Sequence, residues 1–406
     1  MNFNFILTQD LSSPGGLGRY LPWAQELTRL GHRVRILATH SNYKALPQKK
    51  LWVDDVEVVY VSQMHVIKGG AKKFYFSPLR LIWVALESTL KLSLAALKYP
   101  SDVIIVGKPH PMNGIAGILG SKRWRCLLVV DVDDDEENSG NFKYKWQQKV
   151  IGSFQRLLPG WADLVTTNTH YMRQKIQRFG VSPSRIYYLP NGVDPARFPS
   201  VSNNEVLTLR DKLGAINKKI ILYLGSIGLV NHPLHLLIEA YAKVHQFNPQ
   251  TILLLVGGGE NIDDVKSLVK EKGLESSVIL VGRVPPEEVA NYYAIADVSV
   301  DPVYDNPAAR GRCPLKLFES WICGVPFVTG DVGDRRLLAG VPPAIKLCAP
   351  GDPEALAASI LDVLNNKELS NTIAQLGKER VPNFYWSNLV SQFHETLISS
   401  TMRVKR

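Results

Sequence analysis

"PNGVDPARFPSVSNNEVLT" (residues 190–208) gathers Pro, Gly, Asn and Ser between two long stretches of regular apolar patterning. Read as a seam, it divides the 406-residue chain into two wound halves, and a length prior of roughly two to three domains agrees. Upstream, strands are expected at "FNFILT", "RVRILAT" (33–39), "VEVVYV" (56–61), "DVIIV" (102–106), "CLLVVDV" (126–132), "DLVTT" (163–167) and "RIYYLP" (185–190). Downstream, a fresh series runs through "KIILYLG" (219–225), "TILLLVG" (251–257), "SVILVG" (277–282), "DVSVDPV" (297–303), "VPFVT" (325–329) and "AIKLCA" (344–349).

Most of these runs are continuously apolar and rich in β-branched residues, the pattern of parallel strands buried on both faces. Helical stretches fill the gaps, for example 234–245, 262–272, 286–296 and 353–365. Strand–helix alternation of this kind gives doubly wound α/β sheets. After residue 380, "VPNFYWSNLVSQFHETLISSTM" reads as a terminal helix. The expected organisation is a Rossmann-like domain over 1–200, a second over 201–380, and a terminal segment, 381–406. Two such domains facing across a cleft place ligands at the carboxyl ends of their strands.

The composition, 45% hydrophobic and 21% charged, is that of a soluble globular protein. No cationic start precedes the first apolar run, so no signal peptide is read. The longest apolar segment, 79–99, is broken by Glu87 and Lys91 and is expected to be a buried or amphipathic helix, not a membrane span. Cys126, Cys313, Cys323 and Cys348 lack metal-type spacing and suit a reducing cytoplasm. The net charge of +10 favours anions such as nucleotide phosphates or anionic lipid. No aromatic–basic interleaving points to nucleic acid.

Several strand-end segments could carry chemistry. "SSPGGLGRY" (12–20) brings Gly15, Gly16 and Gly18 to the start of a helix, where a backbone can approach a ligand and an anion is favoured. Its spacing is not that of a dinucleotide fingerprint. "DVDDDEENSG" (131–140) follows the fifth strand, with Asp131 or Asp133 as the candidates among its carboxylates. In "LPNGVDPARF" (189–198), Asn191 and Gly192 read as a hinge, Gly192 suiting a positive-φ turn and Asp194 capping a short helix begun by Pro195. "VGGGEN" (256–261) and "VGRVPPEEV" (281–289) repeat a strand-end layout, the second presenting Arg283 and Val284. "DNPAARGRCPLKLFESWICG" (305–324) gathers Arg310, Arg312 and Lys316, cations suited to a diphosphate, ahead of Glu319. An unpaired carboxylate in so apolar a helix is costly if buried, so Glu319 implies a surface position or a ligand with hydroxyl groups.

The order of these pieces resembles glycosyltransferase family 4. The resemblance rests on a Gly-rich first loop, "LPNGVDPARF", "LLIEAY", "LLLVGGGEN", "VILVGRVPPEEVANYYAIADVSVDP" and "PLKLFESWICGVPFVTGD", and it extends over nearly the whole chain. The family is one of retaining, nucleotide-sugar-dependent enzymes of the GT-B fold, whose terminal helix crosses back onto the N-terminal domain. The resemblance implies a hexosyltransferase that moves a sugar from a nucleotide-diphosphate donor to a glycan or lipid-linked acceptor in cell-surface polysaccharide or glycolipid synthesis. It implies no cofactor beyond that co-substrate and no metal.

Residue by residue, the resemblance places the donor ribose at Glu319, the base at Arg283 and Val284, and the phosphates beside Gly15 and Gly16. Arg310, Arg312, Leu315 and Lys316 border the donor cleft. The active-site histidine found after the fifth strand in related enzymes is replaced by "DVDD", with Asp133 in its place, and His110 in "GKPHP" (107–111) is the second catalytic candidate. Further departures lie at Gly311, where the first acidic residue of the family's pair would stand, and at Ser226 and His232, where diphosphate-binding cations would stand. These departures leave a catalytically silent sugar-nucleotide-binding or scaffold subunit as the alternative. A cytoplasmic location is expected, with peripheral contact to the anionic inner membrane face through 66–76 and 121–126.

Overall fold

The computed structural model describes residues 1–69, 72–139, 142 and 144–404. The tip of the basic segment 66–76, the last residue of the acidic run and the last two of the terminal segment 381–406 lie outside the described residues. Ten strands precede the seam: β1 (Asn2–Leu7), β2 (Arg33–His40), β3 (Lys50–Val53), β4 (Val56–Gln63), β5 (Val66–Gly69), β6 (Lys72–Tyr75), β7 (Val103–Gly107), β8 (Leu127–Val132), β9 (Leu164–Thr167) and β10 (Ile186–Tyr188). Six follow it: β11 (Lys219–Leu224), β12 (Thr251–Val256), β13 (Val278–Gly282), β14 (Val298–Asp301), β15 (Phe327–Gly330) and β16 (Lys346–Cys348).

The first sheet runs β10-β9-β8-β7-β1-β2-β4-β3, and the second runs β13-β12-β11-β14-β15-β16. Every pairing in the second is parallel. In the first, β3 alone is antiparallel, joined to β4 through Asp54 and Asp55, both at positive φ. That two-residue turn matches the right-handed twist of a hairpin. Neither β3 nor the separate antiparallel β5–β6 hairpin is among the strands expected from the sequence. Both sheets reverse their strand order once, between β1 and β7 and between β11 and β14, and each reversal opens a crevice at the strand ends.

Helices cover both faces of the first sheet. On one side lie α1 (Leu21–Arg29) and the terminal helix (Trp386–Val404). On the other lie α2 (Pro78–Lys98), α3 (Pro111–Trp124), α4 (Glu136–Ser139), α5 (Lys145–Trp161) and α6 (His170–Arg178). The terminal helix crosses back as the GT-B fold requires. Its Trp386, Val390, Phe393 and Leu397 enter the core of the first domain, where Phe393 meets Trp23 edge-on at 5.0 Å. Burying such a side chain is worth roughly 1.5–3 kcal/mol, which anchors the helix.

Gly192 does not adopt a positive φ, contrary to the turn expected of it. The position excludes a side chain for another reason: a Cβ there would stand 2.6 Å from the Phe384 carbonyl oxygen. The returning chain pairs here with the outgoing one, Val193 bridging Tyr385, with Val193 N donating to Phe384 O at 2.9 Å and Trp386 N to Val193 O at 3.2 Å. The two connections between domains therefore run side by side. Asp194 caps the short Pro195–Arg197 helix as expected, accepting from Ala196 N.

Candidate active site

On the first domain, the crevice between β1 and β7 is bridged by Thr8 Oγ1 and His110 Nδ1, 2.9 Å apart. His110 Nε2 lies 2.9 Å from Glu136 Oε2. With Glu136 ionised, Nε2 carries the proton and donates, and in the neutral ring Nδ1 accepts from the threonine hydroxyl. Lys108 follows β7 with a φ of +68°, a conformation seldom taken by a residue with a Cβ. It turns its ammonium into the acidic run, donating to Asp134 Oδ2 at 2.8 Å and to Glu136, with Asp133 Oδ1 at 3.4 Å.

The titrations of Asp133 and Glu136 shift in opposite directions. Burial pushes the Asp133 carboxyl up to about 8, with Asp134 and Asp131 adding to the rise and Lys108 opposing it. Against the same cost of burial, Lys108 and His110 hold Glu136 well below the usual carboxylate range. Asp133 is thus neutral at neutral pH and can donate a hydrogen bond; Asp133 Oδ1 makes no hydrogen bond of its own. Asp133, Asp134 and Glu136 bring carboxyl oxygens within 4.8 Å of one another, and the Lys108 ammonium is hydrogen-bonded to Asp134 and Glu136.

Asp131, the other candidate of the run, is corrected to a structural role. It is fully buried and receives Arg19 through both oxygens, at 2.7 and 2.6 Å, together with the hydroxyls of Tyr20 and Thr166. No lone pair remains aimed at a ligand. Arg19 also donates to Leu189 O and Asn191 Oδ1, so the Gly15–Gly18 turn is tied to β8 and to the hinge. Asn191 in turn donates to the Cys313 carbonyl at 2.7 Å, reaching the second domain.

On the second domain, the Leu315–Ile322 helix ends in a Schellman turn at Gly324 (φ +68°), with Val325 N donating to Ser320 O. The helix faces the cleft with Leu315, which packs so closely on Gly18 that a Cβ there would stand 2.6 Å from Leu315 Cδ1. One turn on, the partly exposed Glu319 accepts from Tyr293 Oη at 3.1 Å, leaving acceptor capacity for a ligand. Burial raises its carboxyl above the ordinary value, with Arg197 opposing.

Lys316 sits at the β11/β14 crevice, its ammonium 2.9 Å from Asp301 Oδ1 and 4.1 Å from the centroid of the Tyr223 ring. Asp301, also paired with Arg335, stays ionised despite its burial because Lys316, Arg312 and Arg335 surround it. Arg312 donates to Asn231 O at 2.7 Å, and Arg310 pairs with Asp305 on the surface. Arg283 extends across Gly258, where a Cβ would collide with its side chain. Val284 is half-buried next to it. Gly257 and Gly259 leave room for the loop after β11, since a Cβ on either would overlap the carbonyl of Gly225 or Ile227. Gly15 and Gly16 open the short helical segment Gly16–Tyr20 after β1, and Gly16 lies against the Asp10 carbonyl.

Two family descriptions divide along this architecture. "Glycosyl transferase 4-like domain" matches residues 15–192 and "Glycosyl transferases group 1" matches residues 218–366. The chain belongs to this glycosyltransferase family. Mannosylfructose-phosphate synthase of Agrobacterium fabrum is 24% identical over 316 residues, covering 76% of this chain and 65% of that protein. A GDP-mannose-dependent alpha-(1-6)-phosphatidylinositol monomannoside mannosyltransferase of Mycolicibacterium smegmatis is 25% identical, covering 58% and 62%. This family member therefore spans less than two thirds of either relative. It spans more, 84%, of a D-inositol 3-phosphate glycosyltransferase of Acidothermus cellulolyticus, at 23% identity over 93% of its own length.

Among solved structures, HepE of Anabaena in complex with UDP and glucose superposes with a TM-score of 0.74 at 20% identity, covering 98% of this glycosyltransferase-family chain and 99% of that one. Sucrose-phosphate synthase of Thermosynechococcus elongatus superposes at 0.79 with 18% identity, covering 99% and 100%. Both show the GT-B fold. Within it, Lys108, Glu136, Asp301 and Arg335 were not legible as site residues of this family member. Glu136 is one carboxylate among several in the acidic run, and the pairings of Lys108, Asp301 and Arg335 join residues distant in sequence.

Proposed function

We propose that the protein is a retaining hexosyltransferase that carries a sugar from a nucleotide-diphosphate donor to a glycan or lipid-linked acceptor, in cell-surface polysaccharide or glycolipid synthesis at the cytoplasmic face of the membrane. The observation that carries this reading is the contact of Gly18 with Leu315. It supports a cleft in which the first loop and the Asp133–His110 cluster face Glu319. In this reading residues 1–200 take the acceptor and 201–380 the donor, while 381–406 straps the two together.

Glu319 receives the ribose hydroxyls, Arg283 and Val284 border the base, and the Gly15–Gly16 turn approaches the diphosphate. Neutral Asp133 donates a hydrogen bond to a sugar or acceptor hydroxyl, and His110, oriented by Glu136 and Thr8, addresses the neighbouring one. Attack on the face from which the diphosphate departs then depends on positioning and on charge stabilisation of the leaving group. The test is turnover of the purified protein with a panel of nucleotide sugars, guided by thermal shift. A nucleotide at 100 times its dissociation constant stabilises the fold by about 2.7 kcal/mol.

A silent sugar-nucleotide-binding subunit is the second reading. It is favoured by the engagement of Lys316, Arg312 and Arg310 with Asp301, the Asn231 carbonyl and Asp305. Nucleotide-induced stabilisation without turnover of any donor would establish it in place of the first.

A further inference from the structure

The helix expected to be buried or merely amphipathic has an apolar outer face. On α2, Leu79, Ile82, Trp83, Leu86, Leu90 and Leu94 fall at helical spacing and stand exposed, Leu79 by 83% and Trp83 by 68%. The opposite face, with Val84, Ser88, Leu92 and Ala96, packs inward. The stripe is not isolated. In α3, Gly114, Gly117 and Gly120 lie close against Leu158, Val106 and Ile104. These glycines sink the helix between α2 and α5. Its outward Ile115 and Leu119 then continue the apolar surface towards Leu157 and Trp161 of α5. A contiguous exposed apolar surface marks an interaction site.

We infer that this three-helix face docks on an anionic lipid surface. Its charge decides between occupants. Across α2, α3 and α5 there are eight Lys and Arg residues and one acidic residue, Glu87, which is already paired with Lys91. A second copy of the same face would bring like charges together, whereas an anionic bilayer complements them. Three exposed tryptophans, Trp83, Trp146 and Trp161, suit the boundary between headgroups and acyl chains. Apolar insertion combined with basic attraction is how interfacial helices bind. Among the described residues no helix is long and apolar enough to cross a membrane, so the surface would lie on the bilayer. Of the segments expected to make this contact, 121–126 contributes the exposed Lys122 and Arg123 at the end of α3, and the apolar part of the contact moves from 66–76 to α2. The inference deepens the proposed membrane-facing location and is read without turnover, so either can fail alone.

The experiment is co-sedimentation of the full chain with vesicles of phosphatidylcholine, with and without an equal share of phosphatidylglycerol, at low and high salt. Light scattering of the free protein accompanies it. Binding is expected to the phosphatidylglycerol vesicles, weakened by salt and by at least tenfold in Lys122→Gln/Arg123→Gln. It should be lost in Trp83→Gln/Leu86→Gln/Leu90→Gln, whose melting temperature should hold because these side chains are exposed. Quenching of wild-type tryptophan fluorescence by brominated lipid tests insertion without any variant. Absence of binding and quenching at low salt would overturn the inference. So would a dimer dissolved by the triple substitution, since the face would then belong to a second copy.

Discussion

A side chain built at Gly311 would meet Asp135: its Cβ would stand 3.0 Å from the Asp135 Cβ and 3.1 Å from the Asp135 amide nitrogen. The place where the family resemblance implies an acidic residue is here a contact between domains. Asp135 is itself fixed by Lys175 and Gln155, so it has little freedom to yield. Gly311→Glu is therefore expected not to restore a family feature but to overpack the interface, at about 1–3 kcal/mol. A melting temperature unchanged by the substitution would show that the two domains separate there freely.

Lys108 is the cation of a cluster with three carboxylates. Lys108→Met leaves Asp134 and Glu136 without it, and breaking a buried pair in this way typically costs about 3–5 kcal/mol. Because Lys108 opposes the rise of the Asp133 carboxyl, its removal should also move any turnover limb governed by Asp133 to higher pH. Denaturant titration reads the first effect and a pH–rate profile the second. A merely structural lysine would alter only the first.

Asp133 gives the fold a pH signature. Its carboxyl rises from an ordinary 3.8 to about 8, so between those values the folded chain holds a proton that the unfolded chain has released. Stability from this group is complete below about pH 4 and is lost as pH rises through about 8. Asp133→Asn keeps a neutral donor and should flatten that slope. Melting temperatures of both proteins across this range check it. If the carboxyl also positions a sugar hydroxyl, wild-type turnover declines above pH 8, while the Asn variant, unable to ionise, does not share that limb.

Glu319→Gln should weaken nucleotide binding by roughly 1–3 kcal/mol, the scale for hydrogen bonds to a charged group. Tyr293→Phe removes the hydroxyl that now donates to Glu319 and should have the smaller effect, because the carboxylate survives. Calorimetry with a nucleoside diphosphate separates them. Equal affinities for wild type and Glu319→Gln would take the residue out of the donor site.

The sequence is most legible where a signal is local and repeated. The run of β7 is apolar throughout, and those of β8 and β11 are apolar but for Asp131 and Lys219, which announces buried parallel strands. The Leu315–Ile322 helix declares its own stop at Gly324. β3 escapes because "KLWV" (50–53) is a short edge strand exposed at alternate positions and its turn uses Asp-Asp in place of a glycine. Gly192 was legible as a special position, but its cause, the Phe384 carbonyl, comes from a segment nearly two hundred residues away. Asp131 and Asp133 are two positions apart on one strand end. Only the arrival of Arg19 at the first and Lys108 at the second distinguishes structural anchor from site carboxyl.

The strap formed by the terminal helix has a consequence for how the chain is made. Trp386, Phe393 and Leu397 belong to the core that Phe3, Phe5 and Trp23 begin, so the N-terminal of the two domains is closed by residues that emerge only after the other domain. Domains usually fold in turn as they emerge during synthesis. Here the first must keep an open apolar groove along α1 until the second is complete. Closure of that core thus waits on the Trp386–Val404 helix, and a chain halted before it exposes its own unfilled core to the cell's proteases and chaperones.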